Sequence, residues 1–149
     1  MSATGTRVLA LDLGEVNIGL ALSDPLRITA QPLETLRRIG PKKDMQRLAQ
    51  LIEEREVGTV VVGLPLLLSG EDGDAARGAR EFAEKLTRRF PKLVIDLWDE
   101  RLTTVEAERT LIAADVRRSK RKKVIDTVAA VLILQGYLEA TDSSGFQSS

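Results

Sequence analysis

Two apolar runs stand almost back to back near the start of the chain, and the first one carries a carboxylate. Val8-Leu9-Ala10-Leu11 leads into Asp12-Leu13-Gly14, and Ile18-Gly19-Leu20-Ala21-Leu22 follows a few residues later. Runs this rich in Val, Leu and Ile read as buried strands. Gly14 and Asn17 lie between them and suit a turn, so strands over 7–13 and 18–23 form a hairpin. Burying an unpaired carboxylate is costly, so Asp12 requires a hydrogen-bond donor, a cation or a metal ion as partner. Backbone amides of the 14–17 turn could serve as that donor, and the choice stays open at this point.

The rest of the pattern places Asp12 in a domain. A third strand over 34–38 completes an opening meander. Residues 42–56 are helical, with Met45, Leu48, Ala49, Leu51 and Ile52 on one face and Pro41 suited to the first turn. Thr59-Val60-Val61-Val62-Gly63 is a short buried strand. A loop follows over 64–73, where Pro65, Gly70 and Gly73 exclude regular structure. An amphipathic helix over 74–90, a fifth strand over 93–98, a helix over 102–113 with Thr103 or Thr104 as cap, and a last helix over 122–140 complete the series. Strands that alternate with helices after a meander predict an α/β domain with a mixed five-stranded sheet flanked by helices. A single domain over 7–140 is expected, with a flexible segment over 1–6 and a disordered polar tail over 141–149.

Composition removes many chemistries. The chain has no cysteine and no histidine, which excludes disulfides, thiolate nucleophiles, Cys/His zinc sites and any histidine base. Aromatic residues make up only 3% of it, too few for a base-stacking platform. No apolar run approaches the roughly 20 residues of a membrane span, and the first six residues lack signal-peptide character. A cytoplasmic protein is expected. The net charge is zero, yet positive charge concentrates in Arg117, Arg118, Lys120, Arg121, Lys122 and Lys123, six of the 22 basic residues with no acid among them. This run is either a solvated loop or a contact for a nucleic-acid backbone beside an active site.

Two further acids stand out. Glu100 lies in Trp98-Asp99-Glu100-Arg101-Leu102-Thr103-Thr104, at the end of the fifth strand. Acids at such a junction also favour a helix N-terminus through its dipole. Asp126 closes the basic run and shares a helical face with Ala129, Ala130 and Ile133; a helix-capping role is its other reading. Asp12, Glu100 and Asp126 are expected to converge and hold one or two Mg²⁺ or Mn²⁺ ions, which prefer hard oxygen ligands. Such a site suits in-line phosphoryl displacement without a histidine base. Arg101 is a candidate contact to the scissile phosphate, and Gly70 and Gly73 let a loop backbone approach a substrate closely.

These motifs occur in an ordered series. Leu11-Asp12-Leu13-Gly14, Ile18-Gly19, Ser23-Asp24, Val61-Val62-Gly63-Leu64-Pro65 and Gly70-Glu71-Asp72-Gly73 come first. Trp98 to Thr104, Lys120-Arg121-Lys122-Lys123-Val124-Ile125-Asp126, Ala129-Ala130 and Ile133-Leu134-Gln135 follow. Over residues 7–140 the chain resembles the YqgF/RuvX family, described both as Holliday-junction resolvase-like nucleases and as candidates for pre-16S rRNA nucleases. The resemblance implies an RNase H-like fold and metal-dependent cleavage of structured nucleic acid, either structured RNA or branched DNA. It maps the family's acidic positions onto Asp12, Glu100 and Asp126. The chain departs from the family pattern at Asn17, where a basic residue is usual, and at Ser69, where Asn is usual. Symmetric cutting of a junction favours a two-fold homodimer. Two competing readings are a non-catalytic RNA- or ribosome-binding module on the same fold, and an actin-like ATP-binding domain. The second needs two such domains around a cleft, and 149 residues supply one.

Overall fold

The computed structural model describes residues 6–102 and 127–141. Strands β1 (Arg7–Leu13), β2 (Asn17–Ser23) and β3 (Ala30–Arg37) come first. Helix α1 (Pro41–Glu54), strand β4 (Val57–Leu64), helix α2 (Asp74–Arg89) and strand β5 (Val94–Asp99) follow. A 3-10 turn, Glu100–Leu102, leaves β5, and a C-terminal helix occupies 127–141. The helix expected over 102–113, the start of the one expected over 122–140, and nearly all of both expected flexible ends lie outside the described residues.

The sheet order is β3-β2-β1-β4-β5. The first three strands pair antiparallel, while β4 joins β1 and β5 joins β4 in parallel. Connection length dictates this division. Short turns can only reverse a strand, whereas the α1 and α2 crossovers carry the chain back to the end from which β1 starts, so β4 and β5 run parallel to it. The expected mixed sheet is therefore present.

Side-chain alternation along β1 separates two cores. Leu9 and Leu11 pack with Leu48, Leu51 and Ile52 of α1 and with Ala76, Ala79, Phe82 and Leu86 of α2. Val8 and Ala10 face the other way, onto Ala129, Ala130, Ile133 and Leu134 of the C-terminal helix, beside Ala21 and Val61. Asp12 follows Val8 and Ala10 in the alternation, so it belongs to the face covered by the C-terminal helix. Its cross-strand neighbour is Gly19, whose own neighbour on β3 is Thr35.

Strand β3 begins at Ala30, earlier than the 34–38 span that the sequence suggests. It is an edge strand with mostly exposed side chains. Half-buried alternation, the usual signal of a strand, is therefore weak there, and Pro32 is tolerated because one edge needs no donor.

Tyr137 ties the C-terminal helix to β5. Its hydroxyl donates to Asp96 Oδ2 at 2.5 Å, and its ring meets Trp98 edge-on with centroids 6.2 Å apart. Burial, then the bond to Asp96, pushes the phenol well above its usual range. The neutral phenol is thus the folded form. Its contribution is complete below about pH 10, the unfolded phenol value, and is lost as pH rises beyond it. Tyr137→Phe is expected to lower stability by about 1–2 kcal/mol at neutral pH and to flatten the alkaline limb of the melting profile. Calorimetry between neutral and strongly alkaline pH checks both effects.

Candidate active site

The site forms because β4 lies between β1 and β5 and contributes a glycine at the critical row. Neighbouring strands stand about 4.8 Å apart, so β1 and β5 are separated by roughly 10 Å. Acids from those two strands can approach only across β4, and Gly63 leaves that space open. Gly63 pairs with Trp98, just before the strand ends. A Cβ at position 63 would lie 2.8 Å from Glu100 Oε2 and 2.6 Å from Ile133 Cδ1. The Glu100 carboxylate therefore reaches over Gly63 towards β1, under the C-terminal helix.

Asp12 and Glu100 are both buried, with 2% and 4% of their surface exposed. Together with Gly14, Glu15, Gly63, Pro65 and Ala79 they line one cavity of about 230 Å³. It opens at the carboxyl ends of β1 and β4, the region where open α/β sheets place their ligands. Two of the three acids singled out in the sequence are thus brought to one place. The third, Asp126, lies outside the described residues, as do Arg117, Arg118, Lys120, Arg121, Lys122 and Lys123. Among the described residues no group of three acids forms a metal cluster. The residue after Asp126, Thr127, is described: its hydroxyl is 2.7 Å from that of Thr35. Thr35 belongs to the row that contains Gly19 and Asp12, so the chain re-enters the described region beside that row.

Arg101 is held rather than free. Its guanidinium makes a fork with the Asp99 carboxylate, Nη2 to Oδ2 at 2.8 Å and Nε to both oxygens at 3.1 Å. Its backbone N–H also donates to Asp99 Oδ1 at 2.9 Å. These bonds hold the Asp99 carboxyl below the usual carboxylate range and raise the guanidinium further. Asp99 thus orients Arg101 next to Glu100, a role that two adjacent acids at a strand end do not reveal from sequence.

The loop after β4 leans on the same arginine. Gly70 has φ +92°, which favours glycine, and a Cβ there would meet Arg101 Nη1 at 3.3 Å. The Gly70 N–H donates to Leu67 O at 2.8 Å, inside the loop. Gly73 precedes α2 with φ −94°, and a Cβ there would press on Leu67 Cδ2 at 3.2 Å. The loop carries Leu66, Leu67 and Leu68 in a row; Leu66 packs against the core while Leu68 is 96% exposed.

Sequence reasoning missed two contributors. Gly63 is visible as a strand end, but its task as the gap between two acids depends on the strand order. Arg38, which donates from Nη1 to Gly14 O at 2.9 Å, is visible only as part of a charge pair with Arg37.

Comparison with known proteins places this chain in a family. A family profile described as "RuvX: Holliday junction resolvase" matches residues 6–140. The chain belongs to the RuvX family. RuvX relatives named "Putative pre-16S rRNA nuclease" match it over most of their length. The one from Desulforamulus reducens is 52% identical over 134 residues, covering 90% of this chain and 97% of the relative. Those from Myxococcus xanthus and Clostridioides difficile are 49% and 47% identical, covering 90% and 89% of this chain and 88% and 94% of the relatives. Among solved structures, Thermus thermophilus RuvC in complex with a Holliday junction substrate aligns with a TM-score of 0.54 at 15% identity. That alignment covers 91% of this chain and 96% of RuvC. The fowlpox virus Holliday junction resolvase aligns with a TM-score of 0.53 at 12% identity, covering 90% and 99%. At such identities the likeness concerns the fold, and that fold is RNase H-like. No helix among the described residues is long and apolar enough to cross a membrane.

Proposed function

We propose that this RuvX chain is a divalent-metal-dependent endonuclease acting on structured nucleic acid, with precursor 16S rRNA as its substrate in the cytoplasm. The observation that carries the reading is the pair of buried carboxylates, Asp12 and Glu100, lining one cavity across Gly63. The name shared by its relatives favours a ribosomal precursor. The family description favours a second substrate, a four-way DNA junction.

The donor set fits Mg²⁺ or Mn²⁺. Both acids offer hard oxygens, the cavity has room for an ion with its waters, and the chain has no histidine or cysteine to suit a softer metal. Asp12, Glu100 and Asp126 would be the ligands. When bound, such an ion supplies Lewis acidity towards phosphoryl oxygens. The chain supplies the rest. β1 and β5 fix the two carboxylates, and the C-terminal helix covers their inner side. Asp99 holds Arg101 at the rim through Nε and Nη2, which leaves Nη1 to meet a phosphate. Gly70 and Gly73 keep the loop backbone close enough to touch a substrate strand. Arg117, Arg118, Lys120, Arg121, Lys122 and Lys123 contribute charge for the sugar-phosphate backbone. Symmetric cutting of a junction would require a two-fold dimer; cutting a precursor RNA would not.

The test is cleavage of a pre-16S rRNA fragment and a four-way DNA junction side by side, with Mn²⁺ and with EDTA. Cleavage of the RNA that stops in EDTA is expected. Undiminished cleavage in EDTA overturns the metal requirement. Cleavage of the junction alone transfers the activity to DNA. Tight binding without cleavage of either leaves a non-catalytic binding module.

A further inference from the structure

We infer that the corner between β3 and α1 is a second phosphate-backbone surface, continuous with the acid-lined cavity. The inference rests on the proposed action on nucleic acid and says where the strand runs beyond the cut.

Five cations fall within eleven positions there: Arg37, Arg38, Lys42, Lys43 and Arg47. The one acid among them, Asp44, is buried and accepts the Ile39 N–H at 3.0 Å, so its charge is turned inward. Arg37, Arg38, Lys42 and Lys43 are exposed. Among the described residues the ion pairs are Arg77 with Asp74, Arg80 with Asp72 and Arg101 with Asp99, and none engages the five. Arg77, Arg80 and Arg101 are paired with carboxylates; the five cations of this corner, gathered within eleven positions, are not.

Two arginines are nevertheless fixed in place. Arg38 donates to Gly14 O at 2.9 Å, and Gly14 lines the cavity beside Asp12. Arg47 donates to Arg37 O at 2.9 Å. Carbonyl anchors position a guanidinium without cancelling its charge, which suits a phosphate contact better than an ion pair does.

The lysines are placed against local stability. Lys42 and Lys43 occupy the first turn of α1, which starts at Pro41 and has no side-chain cap. A helix N-terminus carries partial positive charge and disfavours cations. Asp44 in the same turn favours the helix, whereas the two lysines, with no carboxylate paired to them, leave the turn's outer face to an anionic partner. A polyanion that touches the cavity at Gly14 and continues across Arg38 towards Lys42 and Lys43 satisfies all of these features. The phosphodiester backbone is common to RNA and DNA, so the surface reads phosphates rather than bases.

The experiment measures binding of the full-length protein to an RNA duplex and a DNA duplex of equal length, in EDTA, over a range of KCl. The variant carries Arg37→Gln, Lys42→Gln and Lys43→Gln. A control variant carries Arg77→Gln and Arg80→Gln, which removes paired cations elsewhere. The slope of log Kd against log[KCl] is expected to flatten by about one unit per lost contact in the first variant and to stay nearly unchanged in the control. The melting temperature of the first variant should equal or exceed that of the wild type, because the helix loses two misplaced charges. Similar flattening with RNA and DNA is expected of a phosphate surface. Flattening with one polymer only assigns the surface to that polymer. An unchanged slope in the first variant, or equal flattening in the control, overturns the inference while leaving the nuclease reading intact. Steep wild-type binding, with no cleavage of the pre-16S rRNA fragment or the four-way junction in Mn²⁺, overturns the nuclease reading and leaves the surface standing. A wild type that binds neither duplex overturns the surface and leaves the nuclease reading to its own cleavage test.

Discussion

Replacing Asp12 by Asn is expected to reduce cleavage more than about 100-fold, equivalent to roughly 2.7 kcal/mol of transition-state stabilisation, in a protein that still folds and binds nucleic acid. Glu100→Gln is expected to behave in the same way. Both changes keep the shape of the side chain and delete its charge. Each acid is buried on the rim of the same cavity, so the substitutions remove hard oxygen donors without opening a void. The fold should persist, because each amide fills the volume of the carboxylate it replaces. Binding to the substrate backbone should survive, since it depends on cations elsewhere. The check is single-turnover cleavage in Mn²⁺ beside a melting curve and a binding isotherm on one preparation. Wild-type turnover by Asp12→Asn removes that residue from the chemistry. A variant that melts far below the wild type shows instead that the acid serves the fold.

Gly63→Ala should be nearly as damaging through a single methyl group. The added Cβ would lie 2.6 Å from Ile133 Cδ1 and 2.8 Å from Glu100 Oε2. Both distances are shorter than real Cβ contacts, so the helix, the acid or both must move. Overpacking of this kind lowers stability by about 1–3 kcal/mol. A displacement of about 1 Å at a reacting group lowers a rate by roughly 100-fold. The two effects are separable. Ile133→Val removes Cδ1 and relieves the contact with the helix only. The double variant Gly63→Ala/Ile133→Val should therefore regain stability but little activity. Thermal melts and cleavage rates on the three variants check this. Wild-type cleavage by Gly63→Ala would show that Glu100 has no need of the space above β4.

Much of the fold was legible because local patterns carry it. The Val- and Leu-rich runs at 8–11 and 59–62 reveal β1 and β4, and apolar spacing reveals α1 and α2. Strand β3 begins four residues before the 34–38 span that its sequence suggests, because an exposed edge strand has little apolar alternation; pairing with β2 defines it instead. Asp12 stood out because a carboxylate breaks an apolar run, and Glu100 because it ends a strand. Their meeting could not be read the same way. It depends on β4 lying between β1 and β5, a long-range arrangement that no local window contains. The pairing of Arg101 with Asp99 and the anchoring of Arg38 on Gly14 are hidden for a related reason: a sequence displays charges but not which charge faces which. Asp126 and the 117–123 run lie outside the described residues.

The sheet is half antiparallel and half parallel, and the acid pair belongs to the parallel half. The meander β1–β2–β3 closes through short turns between neighbouring residues. Joining β4 to β1 and β5 to β4 requires the chain to travel through α1 and α2, so loop-closure entropy must be met before those contacts reward it. A chain that has formed only its meander already displays Asp12, yet it has no Glu100 beside it and no Gly63 to reach across. On the proposed reading, competence to cut would therefore belong to the completed sheet alone. A nuclease assembled in this way would stay inert towards nucleic acid until β5 had joined the sheet.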